Sequence, residues 1–294
     1  MISNIIQKFG KPEVVDQKWD LVIRPKEGLF SLHLADLWNY KDLIFLFVKR
    51  DFISLYKQTI LGPLWYIVQP LASTVIYTII FGKIANVSTD GVPHFIFYLS
   101  GTVLWSYFAD CLIATSNTFV ANAGIFSKVY FPRLAVPVSI VVSSLIKFAI
   151  QFATFLAFYF YFILKGATLE MQWSVILLPI FILQIAILGL GFGVMVSSMT
   201  TKYRDLSLLV AFGVQLWMYA TPVVYPLSLV PEQFKLLYNL NPMANLIENF
   251  RFSFLGHGHL DLYAWAQSWI ITVLVFFIGI VIFSRAERDF VDTV

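Results

Sequence analysis

The stretch that decides the fold is residues 50–65, RDFISLYKQTILGPLW, because it marks the border between a charged segment and the first long apolar run. Arg50, Asp51 and Lys57 alternate there with aromatic and aliphatic residues. Gly62 and Pro63 follow, and proline cannot continue a helix without losing a backbone hydrogen bond. This order predicts a segment that lies flat on a membrane surface, with its cations at the headgroups, and then turns to cross the bilayer.

The composition of the whole chain agrees with a membrane location. The 294 residues are 59% hydrophobic and only 13% charged, and the mean hydropathy is +0.78. A soluble domain is about half apolar and about a quarter charged, so one soluble core could not bury this much apolar surface. The single cysteine, Cys111, excludes an intramolecular disulfide and a cysteine metal cluster.

Six apolar runs approach the roughly 20 residues that a helix needs to cross a bilayer. They lie at about 64–84, 95–120, 134–163, 174–199, 207–224 and 264–284. Pro222 and Pro226 interrupt the end of the fifth run. The sequence therefore predicts an all-α integral membrane protein with six transmembrane helices. It divides into a cytoplasmic N-terminal segment (1–33), an amphipathic interface helix (34–60) and a transmembrane domain (61–294).

The basic residues set the orientation of these spans. Fifteen of the 20 Lys and Arg residues lie in 1–63, in the loops 121–133 and 200–206, and in the C-terminal tail. The more basic side of a membrane protein is the cytoplasmic side, so both termini are expected in the cytoplasm, which requires an even number of spans. Residues 1–30 contain no apolar stretch of the kind found in a cleavable signal peptide.

Two further segments carry amphipathic patterns that are too polar or too short to span. In residues 34–57 one helical face is apolar, and cations lie toward the headgroups; a loop with a solvated charge run is the alternative. The apolar face comprises Leu37, Ile44, Val48 and Leu55, and the cations are Lys41, Lys49 and Lys57. In residues 121–133, ANAGIFSKVYFPR, a short helix could dock into a soluble partner, or the segment could be a plain connecting loop.

The long segment 225–259 is expected on the external side. It is rich in aromatics and too charged to span, and it fits two short re-entrant helices at about 231–238 and 242–255. Pro231 and Pro242 suit first-turn positions, and Asn241 suits the N-cap of the second helix.

Polar and aromatic residues recur at helical spacing inside two of the predicted spans. In the first span this stripe is Tyr66, Gln69, Ser73, Tyr77 and Phe81. In the fifth span it is Phe212, Gln215 and Tyr219. Such stripes either pack against other helices through hydrogen bonds or line a passage. A passage with aromatic faces and hydrogen-bonding tips suits sugars, whose C–H faces rest on rings while their hydroxyls find polar partners.

Two charged residues, Asp110 and Lys147, fall inside the second and third spans. Each lies about sixteen residues from the external end of its span, which is about 24 Å at the rise of an α-helix. An unpaired charge at such a depth is costly, so the matching depths predict a buried ion pair. The pair could serve only to fix the register of the two helices. In the fourth span, Gly189-x-x-x-Gly193 predicts a close helix contact.

Several classes of chemistry are missing from the sequence. No G-x-x-x-x-G-K-[ST] phosphate loop is present, and no Lys precedes a Ser or Thr. The four histidines and one cysteine have no metal-ligand spacing, and no nucleophile–base arrangement stands out. Catalysis, a metal or another cofactor within this chain, and a nucleic-acid partner are therefore not expected.

Four stretches of the sequence resemble the permease subunits of type-2 ABC transporters, most of all those that export O-antigen, capsule or teichoic-acid polysaccharides. These stretches are RDFISLYKQTILGPLWYIVQPL (50–71), KVYFPRLAVPVSIVVSSLIKF (128–148), KYRDLSLLVAFGVQLWMYATPVVYPLSLVP (202–231) and NPMANLIENFRFSFLG (241–256). The resemblance implies that two copies of the chain pair with two copies of an ATPase, which holds ATP and Mg²⁺. The cargo would be a polysaccharide on undecaprenyl diphosphate, exported across the bacterial cytoplasmic membrane.

The resemblance also implies roles for particular residues. The stripes of spans one and five would line the sugar path, and the 34–57 helix and the 121–133 segment would contact the ATPase. Residues placed to meet the ATPase or a diphosphate are Arg50, Lys57, Lys128 and Arg133. The external gate in 225–259 would include Pro231, Phe234, Tyr238, Asn241, Pro242, Phe250 and Arg251. The chain departs from the family at Leu55, where Arg is frequent, and at Lys147, where an acid is frequent.

Other functions remain open on the sequence alone. A type-2 permease for a drug or a lipid would share most of these features. A polytopic glycosyl or acyl transferase would need clustered acids or histidines near one membrane face, and Asp51, Asp110 and Asp205 do not cluster in sequence. An ion-coupled carrier would show two half-repeats or a chain of intramembrane carboxylates, and neither is visible.

Overall fold

A computed structural model describes residues 34–57, 62–126, 128–203 and 205–293. The predicted N-terminal segment 1–33 and residues 58–61 lie outside the described residues, as do Ser127 and Arg204. Within the described part the chain is helical and contains no strand, which confirms the all-α prediction.

Eleven α-helices are found in the described ranges. Two precede the membrane-spanning part, namely α1 (Leu34–Asn39) and α2 (Lys41–Lys57). The next six are α3 (Trp65–Tyr77), α4 (His94–Ser116), α5 (Thr118–Phe126), α6 (Ala135–Leu164), α7 (Leu178–Thr200) and α8 (Leu206–Tyr219). The last three are α9 (Glu232–Asn239), α10 (Pro242–Leu255) and α11 (Leu262–Thr293). A π-helical turn over Thr78–Ile84 extends α3.

Five helical segments in the described chain are long and apolar enough to cross a membrane. They are Gly62–Ile84, His94–Ser116, Ala135–Leu164, Trp173–Thr200 and Leu262–Glu287. The fifth predicted span, 207–224, is instead the 14-residue α8, which ends at Tyr219. At 1.5 Å per residue α8 is about 21 Å long, shorter than the roughly 30 Å of hydrocarbon. The six-span count therefore stays a prediction.

The second predicted span also ends differently from the expectation. It was expected to reach residue 120, but α4 stops at Ser116 and a separate helix, α5, begins at Thr118. Asn117 separates them in a non-helical conformation, and its side-chain amide donates to the Ile113 carbonyl. The segment 121–133 is helical only as far as Phe126, and residues 128–134 are turns and irregular backbone.

Helix α4 lies at the centre of the packed helices. It contacts α6, α7 and α3, as well as α10 and α8. Its apolar residues are buried on almost every side. In the most hydrophobic stretch of α4, 78% of the residues are buried, whereas the corresponding share in the Gly62–Ile84 segment is 11%. Two spans of similar hydropathy therefore differ in burial: α4 is a core helix, whereas most residues of Gly62–Ile84 are partly or fully exposed within one copy of the chain.

Glycines on α7 permit its close contact with two neighbours. A Cβ atom built on Gly189 or Gly193 would lie 2.6 Å from the Cβ of Cys111 or Thr115 on α4. On the opposite side, a Cβ on Gly191 would lie 2.9 Å from the Phe276 Cα of α11. The predicted small-residue face therefore packs on α4, and a second glycine contact, which the sequence did not indicate, holds α11.

The amphipathic helix α2 packs on protein with the face that was expected to meet lipid. Val48 from that face is buried together with Phe47, and Ile44 is partly buried. The Phe47 ring lies 5.8 Å from the Phe131 ring, in an aromatic cluster beneath α2 that also contains Phe119, Phe126 and Phe283. A second apolar strip faces outward instead, formed by Trp38, Phe45, Leu46 and Ile53. The side chain of Leu55 lies outside the described residues.

Candidate functional site

A polar cavity of about 310 Å³ lies between α3, α4, α6 and α8. Four of the five path residues predicted in the first span line it, namely Tyr66, Gln69, Ser73 and Tyr77. The fifth, Phe81, packs its ring against Tyr77 with the centroids 6.0 Å apart and is not part of the lining. The lining further includes Thr102, Trp105, Ser106, Asp110, Lys147, Gln151 and Met218.

A proline inside α3 helps to shape this wall. Pro70 has no N–H to donate within the helix, and it lines the cavity. One turn later the Thr74 hydroxyl donates to the Pro70 carbonyl at 2.7 Å and lies 3.3 Å from the Thr102 hydroxyl of α4. This buried threonine contact joins α3 to α4 and holds the polar stripe of α3 toward the cavity.

Asp110 and Lys147 face the same cavity from α4 and α6. The Lys147 Nζ lies 3.9 Å from the Asp110 Oδ2, and the Nζ also lies 5.3 Å from the Tyr66 ring centroid. The Asp110 side chain remains 40% exposed and the Lys147 side chain 28% exposed. The two charges therefore meet at one depth, but they open on the cavity and are not enclosed as the sequence predicted.

The stripe of the fifth span does not line this cavity. Phe212, Gln215 and Tyr219 are all on the exposed side of α8, and Phe212 is 59% exposed. The α8 residue that reaches the cavity is Met218, whose Sδ lies 3.8 Å from the Tyr77 hydroxyl. Within one copy of the chain, the structure does not bring the two predicted stripes together around one cavity.

The segment after α8 folds into the two short helices expected from the sequence. Asn241 caps α10 by accepting from the Met243 N–H at 3.2 Å, and Pro242 occupies its first turn. The Asn241 amide also donates to the Thr221 hydroxyl at 2.9 Å, so the cap is joined to the end of α8. The re-entrant placement of these helices stays a prediction.

The residues predicted for the external gate fall into three groups. Phe234 of α9 is exposed, as is Pro231, which directly precedes this helix. Tyr238 of α9 shares a hydrogen bond with the Tyr225 hydroxyl. Phe250 is fully buried, and its ring lies 5.4 Å from the Phe155 ring of α6, so it is a core residue in this structure.

Arg251 is the most connected residue of this region and is 2% exposed. Its guanidinium donates to the carbonyls of Pro222 and Val223, each at 2.6 Å, and to Glu248 Oε1 at 3.1 Å. It also lies 3.6 Å from the Phe97 ring centroid of α4. Arg251 thus satisfies the backbone where α8 breaks and fastens α10 to α4. Sequence reasoning missed this role because the two carbonyls lie 28 and 29 residues away along the chain.

The four basic residues predicted to meet an ATPase or a diphosphate differ in accessibility. Lys57, Lys128 and Arg50 are all exposed, and a guanidinium nitrogen of Arg50 lies 2.8 Å from the Asp51 Oδ1. Arg133 is only 8% exposed, and its guanidinium donates to the Glu287 carbonyl of α11 at 2.8 Å. Burial lowers the pKa of Arg133 from its usual value, and Glu287 opposes that shift. The structure therefore gives Arg133 a backbone partner in place of an open position for a ligand.

Residues 42–255, more than half of the chain, match the family model described as ABC-2 type transporter. The chain belongs to this family. The match begins at α2 and ends at the last residue of α10, so it includes the cavity, α8 and the two short helices. As an ABC-2 transporter, the chain is an integral membrane permease, and ATP hydrolysis is carried out by a separate ATPase subunit.

Curated relatives of this ABC-2 permease cover most of its length. One from Klebsiella pneumoniae, named O-antigen export system permease protein RfbA, is 28% identical over 252 residues, which are 85% of this chain and 94% of the relative. A protein of the same name from Myxococcus xanthus is 25% identical over 264 residues, 89% of this chain and 98% of the relative.

Some cavity residues were not predicted from the sequence, although their helical spacing from Asp110 and Lys147 could have indicated them. Trp105 and Ser106 lie one turn before Asp110 on α4, and Gln151 lies one turn after Lys147 on α6. Polar residues at i and i+4 inside an apolar span share one face. The criterion that singled out the stripe of α3 could therefore have found them.

Proposed function

We propose that this ABC-2 permease exports a lipid-linked, O-antigen-like polysaccharide from the cytoplasmic leaflet of the bacterial cytoplasmic membrane. The observation that carries this proposal is the similarity to O-antigen export permeases over 94% and 98% of their lengths. The cavity supports it, because its lining combines the rings of Tyr66, Tyr77 and Trp105 with hydroxyl and amide groups. Aromatic faces and hydrogen-bonding tips are the surfaces on which sugar rings rest.

The proposed assembly contains two copies of this chain and two copies of the ATPase. Phe212, Gln215 and Tyr219 on the open side of α8 would face the second copy. Gln215 and the Tyr219 hydroxyl would be costly to leave in lipid, and a polar path between the copies accommodates both. The glycan would travel on undecaprenyl diphosphate, whose charge would meet Arg50, Lys57 and Lys128 at the cytoplasmic surface. In this arrangement both termini are cytoplasmic, and α9 and α10 are external and form the gate.

Removal of the gene from its host tests this function. We expect a lipid-linked glycan to accumulate inside the cell and the matching surface polysaccharide to disappear, and the wild-type gene should restore export. A variant with Tyr66, Tyr77 and Tyr219 replaced by Leu should assemble with the ATPase but restore less surface glycan. Loss of the gene with no change in surface or internal glycan would contradict the proposed function.

Charge reversal on α2 tests whether this helix contacts the ATPase. Lys49 and Lys57 are exposed there, and each exposed ion pair contributes up to about 1 kcal/mol. The double variant Lys49→Glu/Lys57→Glu is expected to reduce recovery of the co-purified ATPase by about ten-fold. The control is Lys165→Glu, at the C-terminal end of α6. This variant should leave recovery of the ATPase unchanged. Equal recovery with both variants would remove α2 from the ATPase interface.

A further inference from the structure

The charge pair in the cavity wall has a geometry that a purely structural role does not explain. Asp110 Oδ2 and Lys147 Nζ lie 3.9 Å apart, whereas a direct charge-assisted hydrogen bond is about 2.7–2.9 Å long. A pair that only fixed the register of α4 and α6 would gain most from a short and fully hydrogen-bonded contact. The observed pair instead keeps part of both charged groups on the cavity surface. Both groups therefore retain hydrogen-bonding capacity for a third molecule.

The remaining lining is neutral and rich in hydrogen-bonding groups. Gln69 and Gln151 contribute amides, and Ser73 and Ser106 contribute hydroxyls. The Tyr66 ring lies beside the Lys147 ammonium and closes one side of the pair. The cavity thus offers an anionic acceptor, a cationic donor and an aromatic face within one small volume.

The charge balance of the lining selects among possible ligands. Asp110 and Lys147 are opposite charges, and every other lining residue is uncharged, so the cavity carries no net charge. A uronate or a phosphate would place an unbalanced negative charge beside Asp110, which is unfavourable in a medium of low dielectric constant. A neutral ring with adjacent hydroxyls can donate to the carboxylate and accept from the ammonium at the same time.

We propose that Asp110 and Lys147 form a subsite for one neutral pyranose ring, which lies against Tyr66. The volume of about 310 Å³ is at the lower end of the roughly 300–1,000 Å³ typical of ligand pockets, which suits a single ring. This inference rests on the proposed function, since it names the chemical class of sugar that the path accepts. Asp110 lies sixteen residues from the external end of α4, about 24 Å along the helix, so the subsite is close to the cytoplasmic entrance.

Binding of defined sugars to the purified permease–ATPase complex tests the subsite. The probes are neutral trisaccharides of glucose, galactose and mannose, with trigalacturonate as the anionic counterpart, and saturation-transfer NMR reports their contact with the protein. We expect at least one neutral trisaccharide to bind and trigalacturonate to bind more weakly. Tighter binding of trigalacturonate, or no binding of any neutral probe, would overturn the inference. This comparison requires no variant, so it does not depend on the folding of a mutant.

Substitutions then test whether the sugar binds at Asp110 and Lys147. Asp110→Asn and Lys147→Gln each remove one charge, and the double variant Asp110→Asn/Lys147→Gln keeps the shape and the net neutrality of the cavity. Loss of a hydrogen bond to a charged group corresponds to about ten-fold weaker binding, and we expect this loss in the double variant while ATPase co-purification is retained. Lys165→Gln, on the external end of α6, should bind the sugar as wild type does. Unchanged sugar binding in the double variant would overturn the assignment of these residues.

Export in the host separates this inference from the proposed function. Suppose that the wild-type gene restores surface polysaccharide and that the double variant also exports polysaccharide and binds the sugar probes as wild type does. The subsite is then wrong, and the exporter proposal stands. If deletion of the gene changes no glycan, the exporter proposal fails and the subsite fails with it. Reduced export by an assembled double variant with weakened sugar binding supports both.

Discussion

Arg251→Met is expected to destabilise the folded protein by roughly 3–5 kcal/mol, the range found when one partner of a buried charged network is removed. The methionine fills much of the volume but donates no hydrogen bond. The carbonyls of Pro222 and Val223 and the carboxylate of Glu248 would then lose their donor in a buried site. Buried polar groups without partners are costly, and here they lie at the break that follows α8.

The measurement is the thermal unfolding midpoint of the detergent-purified protein. Arg50→Met is the matched control, because Arg50 is exposed and pairs with its neighbour Asp51, so its loss should cost less than about 1 kcal/mol. Arg251→Lys should fall between the two, since one ammonium keeps the charge but does not reproduce the fork that reaches both carbonyls. An Arg251→Met protein that melts with the wild type would show that this network contributes little to stability.

Gly191→Ala is expected to be strongly destabilising although it adds a single methyl group. That methyl would lie 2.9 Å from the Cα and the N of Phe276, and backbone atoms cannot rotate away, so α7 and α11 would have to separate. Overpacking of this kind costs about 1–3 kcal/mol, and it outweighs the gain of up to about 1 kcal/mol that alanine brings to a helix interior.

The control for Gly191→Ala is Gly124→Ala in α5. Among the residues that the structure describes, and apart from the chain neighbours and the helix's own backbone, no atom lies within 4 Å of the position where its methyl would be placed. Only the helix-propensity gain then remains, so this variant should be as stable as wild type or slightly more stable. We expect the two glycine substitutions to change the stability of the folded protein in opposite directions. The yield and the thermal unfolding midpoint of the purified proteins measure these changes. Similar behaviour of both variants would contradict the close contact of α7 with α11.

The sequence predicted best the features that depend on neighbouring residues. The second of the two short helices was expected at 242–255 and is observed over Pro242–Leu255. Its boundaries are local signals, namely the cap by Asn241, the first-turn proline and Gly256, whose φ of 73° favours glycine at a helix end. The Gly189-x-x-x-Gly193 pattern likewise indicated a close helix contact, although not the helix that provides it.

Features that depend on distant partners were predicted less well. Helix α2 has two apolar faces, one with Ile44 and Val48 and one with Phe45 and Leu46, and periodicity cannot choose between them. The choice follows from the aromatic cluster around Phe131, which packs against the first face. Pro222 marked the break after α8 in the sequence, but the Arg251 side chain that satisfies the Pro222 and Val223 carbonyls lies 28 and 29 residues away along the chain.

The unequal burial of α3 and α4 has a consequence for how a transport cycle could work. Helix α4 is enclosed by its neighbours, whereas only 11% of the most apolar stretch of Gly62–Ile84, the segment that contains α3, is buried. Moving an enclosed helix would disrupt close packing on every side, so α4 and the faces of α6 and α7 that pack on it would remain a rigid frame. Widening for cargo would then be a displacement of α3 and α8 against that frame. Hydrogen–deuterium exchange during ATP turnover should accordingly change in these two helices and remain slow in α4.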